Sequence, residues 1–461
     1  MKTNSKRKDL LSASLSRRQF LKAGVAGGAA LATAGRFASS APAIGGHTRP
    51  NFLLIAADQL SLSAISAHGC PWVNTPNMDR LARCGASFMQ SYTTDPVCSP
   101  ARSSWFTGRM PSETGVISNN KPIRPDLPNL GQWLGREGYE TVYVGKWHLP
   151  QSFSTQIPGF TVIPGGLSGQ GNTGDVAVSR ACQAYLANRS RRQPFLLAAS
   201  FLQPHDICAW VGMRQAHPED LPYPEIENEL PPLPANFDFD PLEPERLKKS
   251  RRPAWSERQW RYYLWSYGRH VEMVDAEIGR VLQALNDSGQ ARNTIVVFTS
   301  DHGEGMGRHH MVLKNYLYDE AAKVPLIMAF PEQWTEGRKD ATHLVSGLDV
   351  TPTICDYAGV KPPASAFGRS LRPLVEGASP EWREFLVSEV QVIGRMVRSP
   401  DLKYVVYRGD PIEQLFDMKN DPGETKNLAA EARFSFALED HRKRLKEWEA
   451  RLDLAPAAAK S

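Results

Sequence analysis

Cys98 stands at the start of a short segment whose residue types can support nucleophilic chemistry on an anion. Pro100 suits the first position of a helix, Ser99 is predicted to cap that helix, and Gly108 is predicted to end it. A helix that begins here would direct backbone N–H groups and the positive end of its dipole towards an anion beside Cys98. Arg102 would add a forked, charged donor. A buried cysteine before an ordinary helix has the same pattern, so the segment alone leaves both interpretations open.

Further candidate side chains come shortly after apolar runs of sequence. They are Asp58 and Gln59 after residues 52–57, Lys146 and His148 after residues 141–144, His205 after residues 195–199, and Asp301 and His302 after residues 294–298. Apolar runs that alternate with helical patterns predict an α/β fold with a mostly parallel sheet. Because ligands of such sheets bind at the carboxyl ends of the strands, we expect these side chains to converge at one edge.

Five segments, in this order, resemble signature segments of the type I (formylglycine-dependent) sulfatases of the alkaline phosphatase superfamily. They are NFLLIAADQ (51–59), CSPAR (98–102), GYETVYVGKWH (138–148), TIVVFTSDHG (294–303) and LFDMKNDPGE (415–424). The resemblance implies a large mixed, mostly parallel sheet sandwiched by helices, followed by a small C-terminal α+β subdomain. It also implies hydrolysis of sulfate esters, and sulfated carbohydrates are the expected substrate class.

The resemblance implies that Cys98 is converted to formylglycine (3-oxoalanine). One hydroxyl of the hydrated aldehyde would attack the sulfate ester, and loss of a proton from the other would then expel sulfate. The resemblance further implies one divalent cation held by Asp58, Asp301, His302 and formylglycine 98, with Ca²⁺ expected and Mn²⁺ or Mg²⁺ as alternatives. Gln59 stands where many relatives have a second aspartate, so the sequence leaves its part as a metal ligand open.

The remaining polar side chains receive roles from the same resemblance. Lys146 and Lys314 would neutralise sulfate oxygens, and His148 would take the proton that triggers sulfate release. His205 lies near the leaving group in relatives, and either His205 or Lys314 would protonate the departing alkoxide. His309, five residues before Lys314, is expected on the substrate side.

The domain organisation predicted from the sequence has three parts. Residues 1–43 resemble a twin-arginine signal peptide, residues 44–380 form the catalytic domain, and residues 381–461 form the C-terminal subdomain of antiparallel strands and one helix, expected over about 428–452. Residues 208–252, rich in proline and acid, are predicted as a loop near the mouth of the site. Export to the periplasm or the cell exterior implies two partners, the twin-arginine translocon and a formylglycine-generating (sulfatase-maturating) enzyme.

Charge and cysteine content exclude several classes of protein. The whole chain carries a net charge of +5, but residues 1–43 hold eight of its 54 basic and one of its 49 acidic residues, so the mature chain would carry −2. No nucleic-acid partner is expected from that balance. The apolar run at residues 23–35 is too short to span a bilayer, so no integral membrane segment is expected in the mature chain. Six cysteines are too few for a disulfide scaffold.

Two other functions remain open at this point. The same site could act on a phosphate diester or a phosphonate monoester, since these substrates meet the same cations. Alternatively, the protein could bind sulfated glycans without hydrolysing them, in which case Cys98 would stay unconverted.

Overall fold

The apolar run that leads to Asp58 forms a central strand of a large sheet. The computed structural model describes residues 49–165, 169–216, 224–240, 242–250, 253–330, 337–364 and 367–455. In it, strand β1 (Asn51–Asp58) is buried along its whole length. Its alternate side chains reach opposite faces, with Leu53 in one core and Phe52 in the other. A strand covered on both faces has to be apolar throughout, which explains the continuous run in the sequence.

The strands are short and the helices vary widely in length. The further strands are β2 (Gly85–Phe88), β3 (Ser91–Tyr92), β4 (Glu140–Gly145), β5 (Thr161–Ile163), β6 (Phe195–Pro204), β7 (Thr294–Ser300), β8 (Leu326–Ala329), β9 (Arg338–Asp340), β10 (Val345–Ser346), β11 (Leu386–Val390), β12 (Gly394–Arg398), β13 (Leu402–Tyr407) and β14 (Gln414–Asp417). The helices are α1 (Pro76–Arg83), α2 (Cys98–Thr107), α3 (Pro111–Thr114), α4 (Leu130–Arg136), α5 (Gly171–Asn188), α6 (Ile207–Ala216), α7 (Glu245–Lys248), α8 (Glu257–Asp287), α9 (Asp319–Ala322), α10 (Val350–Ala358), α11 (Arg372–Val375) and α12 (Ser435–Glu449).

The large sheet has the strand order β5-β4-β6-β1-β7-β8-β2-β9. Its centre is parallel from β4 through β6 and β1 to β7, whereas β8 pairs antiparallel with both β7 and β2. Helices α1, α5 and α8 pack on one face, and α2, α4 and α10 pack on the other. The predicted fold class, a mixed and mostly parallel sheet between helices, is confirmed.

A second sheet of four antiparallel strands, β11 to β14, lies near the C-terminus. One face packs against α12 through Trp448, as the predicted α+β subdomain requires. The helix begins at Ser435 and not near residue 428 as predicted. The reason is that the Leu428 N–H donates to the Leu415 carbonyl at 2.8 Å, which ties this residue to the end of β14. The boundary between residues 380 and 381 stays a prediction.

The prediction of a loop over residues 208–252 is wrong in part. Helix α6 begins before it, and α7 and a short 3₁₀ helix (Pro224–Glu229) lie within it. Ile207 and Val211, four residues apart, are buried in the main core, and this spacing favours a helix where the prolines and acids suggest a loop. The predicted signal peptide lies outside the described residues. None of the helices in the described ranges is long and apolar enough to cross a membrane.

Candidate active site

The carboxyl ends of the four central parallel strands carry most of the predicted site residues. Asp58 is the last residue of β1, and Asp301 follows the end of β7 directly. Lys146 follows β4 in the same way, and His205 follows β6. Because these strands are neighbours in the order β4-β6-β1-β7, residues up to 243 positions apart in the chain meet at one edge.

Helix α2 brings Cys98 to this edge, with a start that differs from the predicted one. The helix begins at Cys98 itself, after Val97, and Ser99 does not cap it. Instead, the Ser99 hydroxyl donates to the His148 carbonyl at 2.6 Å and joins the helix to the segment after β4. Gly108 ends the helix in the left-handed conformation (φ 69°), as predicted.

Asp58, Cys98, Asp301 and His302 form a compact group with the donor types of a metal site. Their ligand atoms all lie within 4.8 Å of one another, and all four residues are buried. The Nδ1 atom of His302 lies 2.9 Å from the Gly303 carbonyl and donates to it, while Nε2 lies 3.2 Å from the Cys98 sulfur. A second partner of this kind fixes the tautomer and orients a ligating imidazole. Two carboxylates and one imidazole therefore fit a divalent cation here.

Arg102 holds the two carboxylates in place. Its Nη2 lies 3.0 Å from Asp58 Oδ2 and its Nε lies 2.9 Å from Asp301 Oδ2, with all three side chains fully buried. Its Nη1 donates to the Lys146 carbonyl at 2.8 Å. The guanidinium is thus committed to protein partners, so its contacts indicate positioning of the carboxylates and not direct contact with a substrate anion.

The surrounding cations shift the acidities at this edge. Burial would raise the pKa of Asp58, but Lys146, His205 and Arg102 together hold it well below its usual range. Burial also opposes ionisation of Cys98, yet Lys146 and nearby cations lower the pKa of its thiol well below the usual value. The Lys146 ammonium itself lies 2.6 Å from Asp58 Oδ2 and 3.9 Å from the Cys98 sulfur. The position of the Cys98 side chain therefore favours negative charge.

The Gln59 side chain contacts three side chains, and the sequence analysis predicted none of these contacts. Its amide nitrogen donates to Glu304, and its carbonyl oxygen accepts from Lys314 and lies 3.3 Å from the Cys208 sulfur. Tyr263 in turn donates its hydroxyl hydrogen to Glu304. The carbonyl of Gln59 thus contacts Lys314, and its part as a metal ligand stays a prediction. Sequence analysis missed Glu304, although it stands two residues after His302, and no sequence signal marks Cys208.

The two histidines predicted to move protons, His148 and His205, lie in the segments that follow β4 and β6. His205 Nε2 is 4.0 Å from Asp58 Oδ1; burial, Lys314 and Lys146 lower its pKa, but Asp58 and Cys208 raise it further, to about 9. His148 Nε2 lies 3.1 Å from Asn120 Oδ1, and its buried Nδ1 has no hydrogen-bond partner among the described residues. Asn120 is a site residue that the sequence analysis missed.

His309 lies elsewhere. It stacks on Tyr318 with ring centres 3.9 Å apart and is grouped with Glu320 and Glu424, away from the cluster around Cys98. Its Nε2 lies 3.4 Å from the Asn236 amide nitrogen. The expected substrate-side role of His309 is supported by none of these contacts and stays a prediction.

Comparison with known proteins agrees with this geometry. A family model described as Sulfatase matches residues 50–360, and one described as N-sulphoglucosamine sulphohydrolase, C-terminal, matches residues 307–451. A model of the twin-arginine translocation signal sequence matches residues 14–34. The chain is 35% identical over 437 residues to a Delta 4,5-hexuronate-2-O-sulfatase from Bacteroides thetaiotaomicron, which covers 87% of this chain and 89% of the relative.

Solved structures extend the comparison. The structure of a 2-O GAG sulfatase is 33% identical, with a TM-score of 0.79 over 88% of this chain and 92% of the other. The phosphonate monoester hydrolase of Agrobacterium radiobacter has a TM-score of 0.74 over 87% of this chain and 96% of the other, but at 24% identity this similarity shows the fold alone. The chain therefore belongs to the sulfatase family, within the alkaline phosphatase superfamily, and is a sulfuric ester hydrolase.

Proposed function

We propose that this sulfatase hydrolyses sulfate esters of sulfated carbohydrates with formylglycine 98 as the nucleophile. The observation that carries the proposal is the buried group of Asp58, Cys98, Asp301 and His302, with Lys146 beside it at the sheet edge. The similarity to a hexuronate 2-O-sulfatase supports the carbohydrate class.

Formylglycine, once formed from Cys98, supplies a hydrated aldehyde whose hydroxyl attacks sulfur. The Cys98 sulfur lies 3.7 Å from Asp58 Oδ1 and 3.9 Å from the Lys146 ammonium. Lys146 therefore stabilises negative charge at this position. The dipole of α2 acts in the same direction, because Cys98 is the first residue of that helix.

Asp58, Asp301 and His302 would hold a divalent cation, for which we propose Ca²⁺, and the Gln59 carbonyl is the candidate for a further oxygen ligand. When bound, this cation supplies positive charge that offsets the repulsion between an anionic nucleophile and an anionic ester. Arg102 keeps the two carboxylates in place through its two ion pairs.

We assign the proton transfers of the reaction chiefly to two histidines, His148 and His205. His148 is fixed through its backbone carbonyl by Ser99, and its buried Nδ1 is without a hydrogen-bond partner within the described ranges. It is therefore suited to accept the proton whose loss releases sulfate. His205 or Lys314 would protonate the leaving alkoxide, and Lys314, with Lys146, would neutralise the sulfate oxygens.

The match to a twin-arginine signal supports export, and we propose the periplasm or the cell exterior as the site of action. The translocon and a formylglycine-generating enzyme are then partners during maturation. Residues 44–380 would form the catalytic domain, and residues 381–461 would form the C-terminal subdomain.

The test is a panel assay combined with mass spectrometry of the Cys98 peptide. We expect sulfur replaced by oxygen at residue 98 and faster hydrolysis of sulfated disaccharides than of phosphate diesters or phosphonate monoesters. Preference for the phosphorus esters would favour a phosphonate or diester hydrolase. An unmodified thiol with glycan binding and no turnover would favour a non-catalytic binding protein.

A further inference from the structure

A cavity of about 780 Å³ opens next to the Cys98 segment. Val97, Asn119 and Lys314 line one part of it, so it is continuous with the reactive edge of the sheet. Its size falls within the range of ligand pockets, about 300–1,000 Å³. It is therefore large enough to take more of a substrate than the sulfate group.

Three cations on the cavity wall come from two distant parts of the chain. Arg246 and Lys249 belong to α7 and the turn after it, and Arg408 follows β13 in the C-terminal sheet. Within the described ranges, none of the three forms an ion pair. The Arg246 guanidinium lies 5.9 Å from the Tyr407 ring centre, a contact that leaves its charge without a carboxylate partner.

The same wall carries two acids, of which one is paired with a cation that does not line the cavity. Glu245 Oε1 lies 2.8 Å from the Lys248 ammonium. The carboxylate of Asp410 accepts hydrogen bonds from the backbone N–H groups of Arg246, at 3.2 Å, and Ile412, at 3.1 Å. The three cations outnumber the one acid that has no cation partner, Asp410, so the wall presents net positive charge to the cavity, although the mature chain as a whole is slightly acidic.

We propose that Arg246, Lys249 and Arg408 form a second anion subsite, which binds a carboxylate or a second sulfate of the substrate whose scissile sulfate lies at residue 98. This inference rests on the proposed function and narrows its substrate class to sulfated sugars that carry at least two anionic groups. Arginine side chains suit the planar oxygens of both groups. The α7 segment and the segment after β13 both contribute residues to the cavity wall.

The test compares kcat/KM within two pairs of probes. The first pair is a 2-O-sulfated unsaturated hexuronate disaccharide and its carboxyl-reduced form, and the second is N-sulfated glucosamine 6-O-sulfate and N-acetylglucosamine 6-O-sulfate. We expect wild type to prefer the doubly anionic member of one pair, and that pair identifies the anion as carboxylate or sulfate. Arg246→Gln and Arg408→Gln should each reduce this preference by about tenfold to hundredfold. This range corresponds to the free energy that a hydrogen bond to a charged group typically contributes.

Two controls separate the subsite from a structural effect. Lys419→Gln removes an exposed cation of the C-terminal part that does not line the cavity and should keep the preference. Arg408→Lys should restore part of it, and added salt should weaken it. Since Arg408 is exposed, its variant serves if Arg246→Gln fails to fold.

The outcomes distinguish the two proposals. If wild type hydrolyses the probes without preference in either pair, or if the variants slow both members of a pair equally, the second subsite is wrong and the sulfatase function stands. If wild type hydrolyses none of the four sulfate esters, the proposed function fails and the subsite fails with it.

Discussion

Two buried ionic clusters in this protein use similar residue types in different surroundings. The first is the reactive cluster of Asp58, Cys98, Asp301 and His302, and the second contains His309, Glu320 and Glu424; in each, the possible ligand atoms lie within 4.8 Å. The reactive cluster stands at the carboxyl ends of parallel strands, where Lys314 connects it with a large cavity.

The second cluster is closed off by cations. The Lys403 ammonium lies 2.6 Å from Glu424 Oε1 and 2.8 Å from Asp319 Oδ1, and Arg308 Nη1 lies 3.3 Å from Glu320 Oε1. Because Lys403 belongs to β13 and Asp319 to α9, these pairs join the C-terminal sheet to the catalytic domain. Glu320 lines a cavity of about 120 Å³, against about 780 Å³ for the cavity beside Lys314. The space next to the cluster, and not the residue types alone, therefore separates a cluster that can react from one that joins the C-terminal sheet to the catalytic domain.

The strongest test of this comparison is loss of the nucleophile. Cys98→Ala should lower kcat by about 10⁴-fold or more, as removal of a catalytic nucleophile typically does, while the melting temperature changes little. Steady-state assay and thermal unfolding check both parts. Cys182→Ala, which removes a buried thiol outside the site, should keep turnover; equal losses in the two variants would contradict the assignment.

Metal content should also differ between the clusters. We expect one divalent ion per chain in wild type, lost in Asp301→Ala together with about a thousandfold of kcat, since a metal ion contributes several kcal/mol of charge stabilisation. Glu424→Ala should retain the ion. Elemental analysis of both purified variants decides the point, and retention of metal by Asp301→Ala would show that the ligands are wrong.

Turnover should also depend on the general base. His148→Ala should lower kcat by about a hundredfold to ten-thousandfold and lower KM as well, because loss of the general base slows sulfate release and the covalent intermediate accumulates. His343→Ala, a histidine paired with Asp340 outside the site, is the matched control. Normal turnover of His148→Ala would remove His148 from the mechanism.

In the second cluster, substitution should reduce stability and leave turnover intact. Lys403→Met leaves Asp319 and Glu424 without their shared cation, and breaking a buried pair costs about 3–5 kcal/mol. Chemical denaturation should therefore show a lower free energy of unfolding, while the folded enzyme keeps its kcat. A loss of kcat in folded protein would show that the two clusters are coupled.

The smallest expected effect concerns pH. Burial and the neighbouring Asp319 and Glu320 carboxylates raise the pKa of Glu424 to about 8, against the opposing effect of Lys403. A carboxyl that holds its proton more tightly when folded stabilises most below its unfolded pKa, and that contribution is lost as the pH rises to about 8. The unfolding free energy should fall by at most about 1.4 kcal/mol per pH unit over this range. Glu424→Gln should flatten the slope, whereas exposed Glu447→Gln should not.

Much of this architecture is readable from local sequence. Helix α8 (Glu257–Asp287) begins at a capping box of Ser256 and Gln259, two residue types that mark a helix start in the sequence itself. The helix predicted near residue 428 begins later, because the Leu428 N–H bonds to a strand that is distant from any helical pattern. Local patterns predict an element well only when no long-range hydrogen bond competes for its backbone.

The sequence by itself determined the buried strands, the order of the signature segments and the residue types at the strand ends, since side chains covered on both faces must be apolar. Only the tertiary structure decided that Arg102 forms ion pairs with both Asp58 and Asp301. It also decided that Glu304 accepts a hydrogen bond from Gln59, and that Arg246 and Arg408 line the same cavity. Those contacts join residues far apart in the chain. Their energies depend on distance in space and on burial, neither of which leaves a local signature in sequence.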